Sequence, residues 1–186
     1  MSFIAKKKST GERVDIRFIK NPREELNKDD LICCGCEQPL IIKSGLIRNR
    51  HFAHAASECS YASNPESPEH LYFKDYISRR LPLEFEEYAN AIALIEYPIH
   101  DRKRIADVCF EFDNGWKIIH EIQLSSITVE EIERRTNDYE QSGYSVIWWI
   151  GKNANTPAVR EWLIKRFGEC ITIDYKELSQ QTIISP

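Results

Sequence analysis

The stretch Arg104–Ser126, RIADVCFEFDNGWKIIHEIQLSS, decides how this chain folds. Its middle, Asp113-Asn114-Gly115, is a strong hairpin turn, and the runs on either side, RIADVCFEF and WKIIHEIQL, are strand-like. Side chains alternate along a strand, so Ile118, His120, Ile122 and Leu124 share one face while Ile119, Glu121 and Gln123 share the other. Closing the hairpin at Asn114 brings Asp107 across from the Glu121/Gln123 end, gathering two carboxylates and an amide. Asp107 is flanked by Ala106 and Val108, and Glu121 by His120 and Ile122, which is not the composition of a solvated face. Two carboxylates held in a partly apolar site repel each other unless a cation sits between them. Mg²⁺ suits such a place, because it accepts one or two carboxylates together with waters and a phosphate oxygen.

The surrounding pattern supplies an α/β frame. Upstream, AIALIEYPI reads as a further strand, and SNPESPEHLYFKDYISRRL predicts a helix from about Pro68 to Arg80, capped by Ser67 with Pro68 in its first position. Downstream, Thr128 and Glu131 form a capping box, and Val129, Ile132, Thr136 and Tyr139 follow at helical spacing to Gly143. YSVIWWI is a buried strand by its apolar continuity. Thr156-Pro157 opens a last helix through Trp162, Leu163 and Phe167 to Gly168, and CITID adds a final strand. The order over residues 63–186 is αβββαβαβ.

Ahead of this frame stands a Cys/His cluster. Of six cysteines, four fall between Cys33 and Cys59. Cys33 and Cys36 form a CxxC pair around Gly35, then PLIIKSGLI reads as a small hairpin turning at Ser44-Gly45, and His51, His54 and Cys59 follow. Zn²⁺ takes four N/S ligands in a tetrahedron, commonly two from a knuckle and two from beyond a hairpin. Six candidates compete for four places. CxxC fixes Cys33 and Cys36 and leaves Cys34 free; His54 with Cys59 is the favoured second pair, with His51 as the alternate ligand. All candidates are protein side chains, so the site is structural and closed. Residues 31–62 thus form a zinc-finger-like module, and residues 1–30, with an alternation at Val14, Ile16 and Phe18 and a turn at Asn21-Pro22, form a strand or arm.

Composition bounds the function. With 42% hydrophobic and 29% charged residues over 186 positions, the chain holds one well-buried core plus a small satellite. The N-terminus lacks the apolar run of a signal peptide, and no stretch is long and apolar enough to span a membrane, so a cytoplasmic protein with reduced cysteines is expected. A net charge of −4 argues against a non-specific nucleic-acid coat protein, though not against a nucleic-acid enzyme whose site is built of carboxylates.

The motif D…ExQ behind a helix-borne Glu resembles the PD-(D/E)xK nuclease superfamily, whose restriction-endonuclease-like core is αβββαβ, a mixed sheet flanked by helices. More narrowly, CxxC…HFAH, ESPEHLYFK, RIADV, EIQLSSIT, RRTNDY and VIWWI, in that order, resemble the competence protein CoiA-like family over residues 31–150. The resemblance implies a Mg²⁺- or Mn²⁺-dependent nuclease acting on DNA during processing and recombination, with recombination proteins as further partners. It places Asp107 and Glu121 as metal-binding acids, Gln123 at the usual lysine position and Glu69 as the helix-borne acid. His70 and Lys74 on the first helix become a proton donor or phosphate contact, and Arg134, Arg135 and Tyr139 lie on the helix where positive charge holds a DNA backbone. Gln123 is the departure, since it removes a cation; a weakly active or inactive DNA-binding or interaction protein on the same fold is the alternative. Several of these residues also have plain roles. Glu69 is a first-turn acid facing the helix dipole, Arg134 has Asp138 four residues on, and His120 belongs to no motif.

Overall fold

A computed structural model of the chain describes residues 2–45, 50–55, 59 and 66–178. In order, the elements are β1 Ile4–Lys7, β2 Arg13–Asp15, α1 Pro22–Glu25, β3 Leu31–Ile32, β4 Leu40–Lys43, β5 His51–His54, α2 Pro68–Glu84, β6 Ile92–Ile99, β7 Arg104–Glu111, β8 Lys117–Gln123, α3 Val129–Gln141, β9 Ser145–Gly151, α4 Pro157–Phe167 and β10 Ile171–Ile173. From α2 to β9 the order is the expected αβββαβ. The chain forms two compact units, Met1–Leu71 with Ile95–Ala106, and Tyr72–Leu94 with Asp107–Pro186. Among the described residues no helix is long and apolar enough to cross a membrane.

In the first unit β1 is central to a three-stranded sheet, antiparallel to both β2 and β3. The alternation at Val14, Ile16 and Phe18 predicts one strand, but β2 ends at Asp15 and Ile16–Phe18 turn as a 3₁₀ helix. The reason is local: the Asp15 carboxylate accepts from the Arg17 N–H at 3.0 Å, giving the backbone an alternative to the ladder. Glu96 anchors the start of β1. It sits at φ 52°, a conformation side chains seldom adopt, and its buried carboxylate accepts from the N–H groups of Phe3 (2.8 Å) and Ile4 (3.3 Å) and from the Ser2 hydroxyl. β4 and β5 pair antiparallel, Leu40 with His54 and Lys43 with His51, so the partner of PLII is HFAH. Leu46 and Ile47, which the sequence places in the second half of that hairpin, lie outside the described residues.

The sheet carrying Glu121 has strand order β10-β9-β8-β7-β6. It is mixed: β7 and β8 are antiparallel through the Asn114 hairpin, Val108 facing His120 and Phe110 facing Ile118, while β9 runs parallel to both β8 and β10. Gly115 turns the hairpin at φ 80°. Strand β8 is central, and Ile118 to Ile122 are buried on both faces. Helix α3 buries Ile132, Thr136 and Tyr139, and the Thr128 hydroxyl caps it by accepting from Glu131 N–H at 3.2 Å. Helix α2 runs to Glu84, one turn beyond the predicted end at Arg80, with Leu81 buried and Pro82 inside its last turn. Gly151 lies close under Leu124: a Cβ there would lie 2.9 Å from Leu124 Cδ2 and 3.1 Å from its Cα, so Leu124 would have to shift.

Opposite the Glu121 face of β8, His120 sits among Phe110, Tyr88 and Trp149. Trp149 Nε1 can only donate, so His120 Nδ1 accepts (3.0 Å), and the neutral ring carries its proton on Nε2, toward the Tyr88 oxygen (3.1 Å). Burial pushes the imidazole down to about 3 and the Tyr88 phenol up to about 12, so both stay neutral. In the unfolded chain His120 takes a proton below about 6.5, but in the folded chain only near 3. Its contribution to stability is therefore intact above pH 6.5 and is lost as the pH falls toward 3. Between pH 7 and pH 5 this amounts to about 2 kcal/mol. Denaturant titrations at the two pH values are expected to show that loss in the wild type and to show it reduced by that amount in His120→Phe.

Candidate functional site

The second unit gathers its polar chemistry at the end of the β7/β8 hairpin. One step beyond the Val108–His120 pair, alternation sets Asp107 and Glu121 on the same face. Asp107 is 8% exposed, and its Oδ2 accepts from the Ile122 N–H at 2.8 Å, so the carboxylate continues where the ladder ends. Glu121 is 0% exposed. Its charge is answered from α3: Arg135 forms an ion pair with Oε2, and the Tyr139 hydroxyl donates to Oε1 at 2.6 Å. The same guanidinium donates from Nη1 to Gln123 Oε1 at 3.1 Å and lies over the Trp148 ring, 4.9 Å from its centroid. Gln123 Nε2 donates to the carbonyl and hydroxyl of Ser125 at 2.8 and 3.1 Å. The arrangement offers hard oxygen donors from Asp107 and Glu121, which suit a divalent cation, and an amide beside them whose oxygen is engaged by Arg135.

The other residues singled out in the sequence differ in their surroundings. Glu69 is exposed in the first turn of α2. His70, on the same turn, places Nδ1 3.2 Å from Glu66 Oε1. Lys74 is fully buried on α2 and does not lie on an accessible surface. Arg134 is exposed and pairs along its own helix with Glu131 at 2.7 Å and Asp138 at 3.8 Å. Arg135, its neighbour, turns inward to Glu121. Sequence reasoning did not pair Arg135 with Glu121, although the signal was present: Arg135 and Tyr139 are four apart, and Ile132, Thr136 and Tyr139 mark the inward face of α3.

The first unit carries a second cluster. Ligand atoms of Cys33, Cys36, His54 and Cys59 all lie within 4.8 Å of one another. Cys36 Sγ is 3.2 Å from His54 Nε2, and Cys59 Sγ is 3.8 Å from Cys33 Sγ and 3.7 Å from Cys36 Sγ. Cys33 and Cys36 come from the turn after β3, where the Glu37 N–H donates to the Cys33 carbonyl at 3.1 Å. The left-handed backbone of this knuckle falls on Glu37 (φ 59°), whereas the CxxC pattern points to Gly35. His54 comes from the end of β5, where it pairs with Leu40. His51 stands at the other end of β5 and is outside the four-residue group, as is buried Cys34. Burial pushes the Cys33 thiol up to about 12 and lowers the His54 imidazole. Three sulfurs and one imidazole nitrogen at these separations can hold a metal ion, which would displace thiol protons on binding.

Two family models match the sequence: the nuclease-like domain of competence protein CoiA over residues 66–184, and the N-terminal domain of competence protein CoiA over residues 18–62. Among solved structures, a repair endonuclease from Pyrococcus abyssi is similar at 17% identity with a TM-score of 0.36. The similarity covers 60% of this chain and 47% of that one. No curated protein matches the sequence.

The two histidines of HFAH separate the ligand sets experimentally. Elemental analysis of purified protein is expected to find bound metal in the wild type and in His51→Asn, and to find it lost in His54→Ala and Cys36→Ser.

Proposed function

This chain belongs to the competence protein CoiA family, and from that premise we propose that it is a metal-dependent deoxyribonuclease, hydrolysing phosphodiester bonds in DNA processing and recombination. The observation that carries this reading is the pair of buried acids, Asp107 on β7 and Glu121 on β8, each next to the last Val108–His120 pair of the hairpin, with Gln123 two residues beyond Glu121. Buried carboxylates are costly to keep unless paired, hydrogen-bonded or metal-bound, and buried ionisable groups cluster at functional sites. Here they stand within the αβββαβ order of a nuclease-like domain.

In this reading Asp107 and Glu121 hold Mg²⁺ or Mn²⁺ through carboxylate oxygens. When bound, such an ion polarises a phosphoryl oxygen and lowers the pKa of a water so that it can attack. The amide of Gln123, at the usual lysine position, orients that water without adding charge. Glu69 serves as the helix-borne acid, and the exposed Arg134 meets the DNA backbone. Zn²⁺ is the proposed occupant of the Cys33/Cys36/His54/Cys59 cluster, because its tetrahedral preference and its affinity for thiolate and imidazole match the donor set. It stabilises residues 31–62, with residues 1–30 as an arm and 63–186 as the nuclease-like domain. We propose a cytoplasmic location, where thiols meant for a metal stay reduced.

A second reading, a weakly active or inactive DNA-binding or interaction protein, is favoured by one feature: both oxygens of Glu121 are engaged, by Arg135 and Tyr139. One experiment decides between the two. Labelled linear, circular and single-stranded DNA are incubated with zinc-loaded protein and Mg²⁺, Mn²⁺ or EDTA. Cleavage is expected with either ion and not with EDTA, reduced about a hundredfold or more in Asp107→Ala and Glu121→Gln. Folded wild type that binds DNA and leaves it intact with both ions would establish the second reading.

A further inference from the structure

The charge at Glu121 is already answered before any metal arrives. Arg135 and Tyr139, one turn apart on α3, take one carboxylate oxygen each. The guanidinium is held on three sides, by Glu121, by Gln123 Oε1 at 3.1 Å and by the Trp148 ring 4.9 Å away. Trp148 is itself fixed, its Nε1 donating to Thr136 Oγ1 at 3.0 Å. Arg135 Nε is buried and has no hydrogen-bond partner among the described residues, so the position is set by the ion pair and the ring rather than by full hydrogen bonding.

We propose that Arg135 is the resident cation of this site: it neutralises Glu121 while no divalent ion is bound, and it is the charge that such an ion must displace from Oε2. This rests on the reading of Glu121 as a metal ligand and adds to it a control on occupancy. An arginine cannot release its proton to make room, so two cations on one buried carboxylate are relieved only when one of them moves. The inward turn of Arg135 also compensates for Gln123. Where the nuclease pattern described above has a lysine beside the second acid, this chain has a neutral amide, and the missing positive charge enters from α3 through a side chain that touches both residues.

The test is a calorimetric titration of Mn²⁺ into zinc-loaded wild type, Arg135→Gln, Arg135→Lys and Glu121→Gln at pH 8, with thermal melting of each protein without and with saturating Mn²⁺. Arg135→Gln is expected to bind Mn²⁺ about tenfold more tightly than wild type, with Arg135→Lys between them, because a competing charge has been removed. Metal-free Arg135→Gln is expected to melt below wild type, and saturating Mn²⁺ to close that gap. Equal or weaker Mn²⁺ binding by folded Arg135→Gln, with binding still lost in Glu121→Gln, overturns the proposal and leaves the metal site standing. Binding that Glu121→Gln does not reduce removes the metal assignment of Glu121 and the proposal together. If Arg135→Gln does not fold, Arg135→Lys decides: tighter binding than wild type supports displacement, and equal or weaker binding overturns it.

Discussion

A carboxylate with no access to water must be met by charge or hydrogen bonds, and Glu121 imposes that requirement on everything around it. It sits on β8, the middle strand of its sheet, with a neighbour hydrogen-bonded on each side. The strand itself can therefore offer nothing more to the side chain. The partners have to come from the layer above, and α3 supplies them at helical spacing, Arg135 and Tyr139, while Ile132 and Thr136 pack the same face. Thr136 in turn holds Trp148, and Trp148 carries the guanidinium. The sequence of α3 is thus constrained by one acid on the strand beneath it.

The other face of β8 is built by the opposite means. His120 could have been a second charge in the same strand, but it is kept neutral by burial among Tyr88, Phe110 and Trp149 and by two hydrogen bonds that assign each ring nitrogen a role. Neighbouring residues of one strand thereby carry an acid paired with a guanidinium and a neutral imidazole. The alternation of the strand separates them into two environments, one polar and charge-paired, the other aromatic.

Much of this was readable beforehand, where the signal is local or periodic. Asn114-Gly115 announces a hairpin, the capping residues Thr128 and Thr156 begin their helices, and the two-residue period on β8 separates Glu121 from His120. The CxxC knuckle was readable from its spacing, with His54 and Cys59 as the favoured second pair and His51 as an alternate. What escaped depends on geometry that spacing does not encode. Asp15 ended β2 early through a hydrogen bond to the following turn, although the apolar alternation continued through Phe18. Lys74 reads as a surface charge because lysines usually are, yet it is fully buried. Arg134 and Arg135 are indistinguishable as a pair of basic letters; the 100° that separates them around the helix sends one to solvent and the other to Glu121. Glu96 carries no motif at all, and its left-handed backbone and bonds to Phe3 and Ile4 appear only when strands far apart in sequence meet.

The two donor sets differ in a way that bears on how one chain would keep two ions apart. Three thiols and an imidazole favour soft or borderline ions, and their affinity falls with acid because a thiol must first lose its proton to bind. Asp107 and Glu121 offer oxygen, which favours hard ions. Arg135 sharpens the contrast, since a weakly bound ion gains too little from Glu121 to move a guanidinium held by three contacts. On the proposed reading of the carboxylates as a metal site, selection there would depend on the strength of the incoming ion's charge and on what accompanies it. A phosphate oxygen supplied by a substrate would add to the ion's hold, so displacement of Arg135 would be most favourable when ion and substrate arrive together.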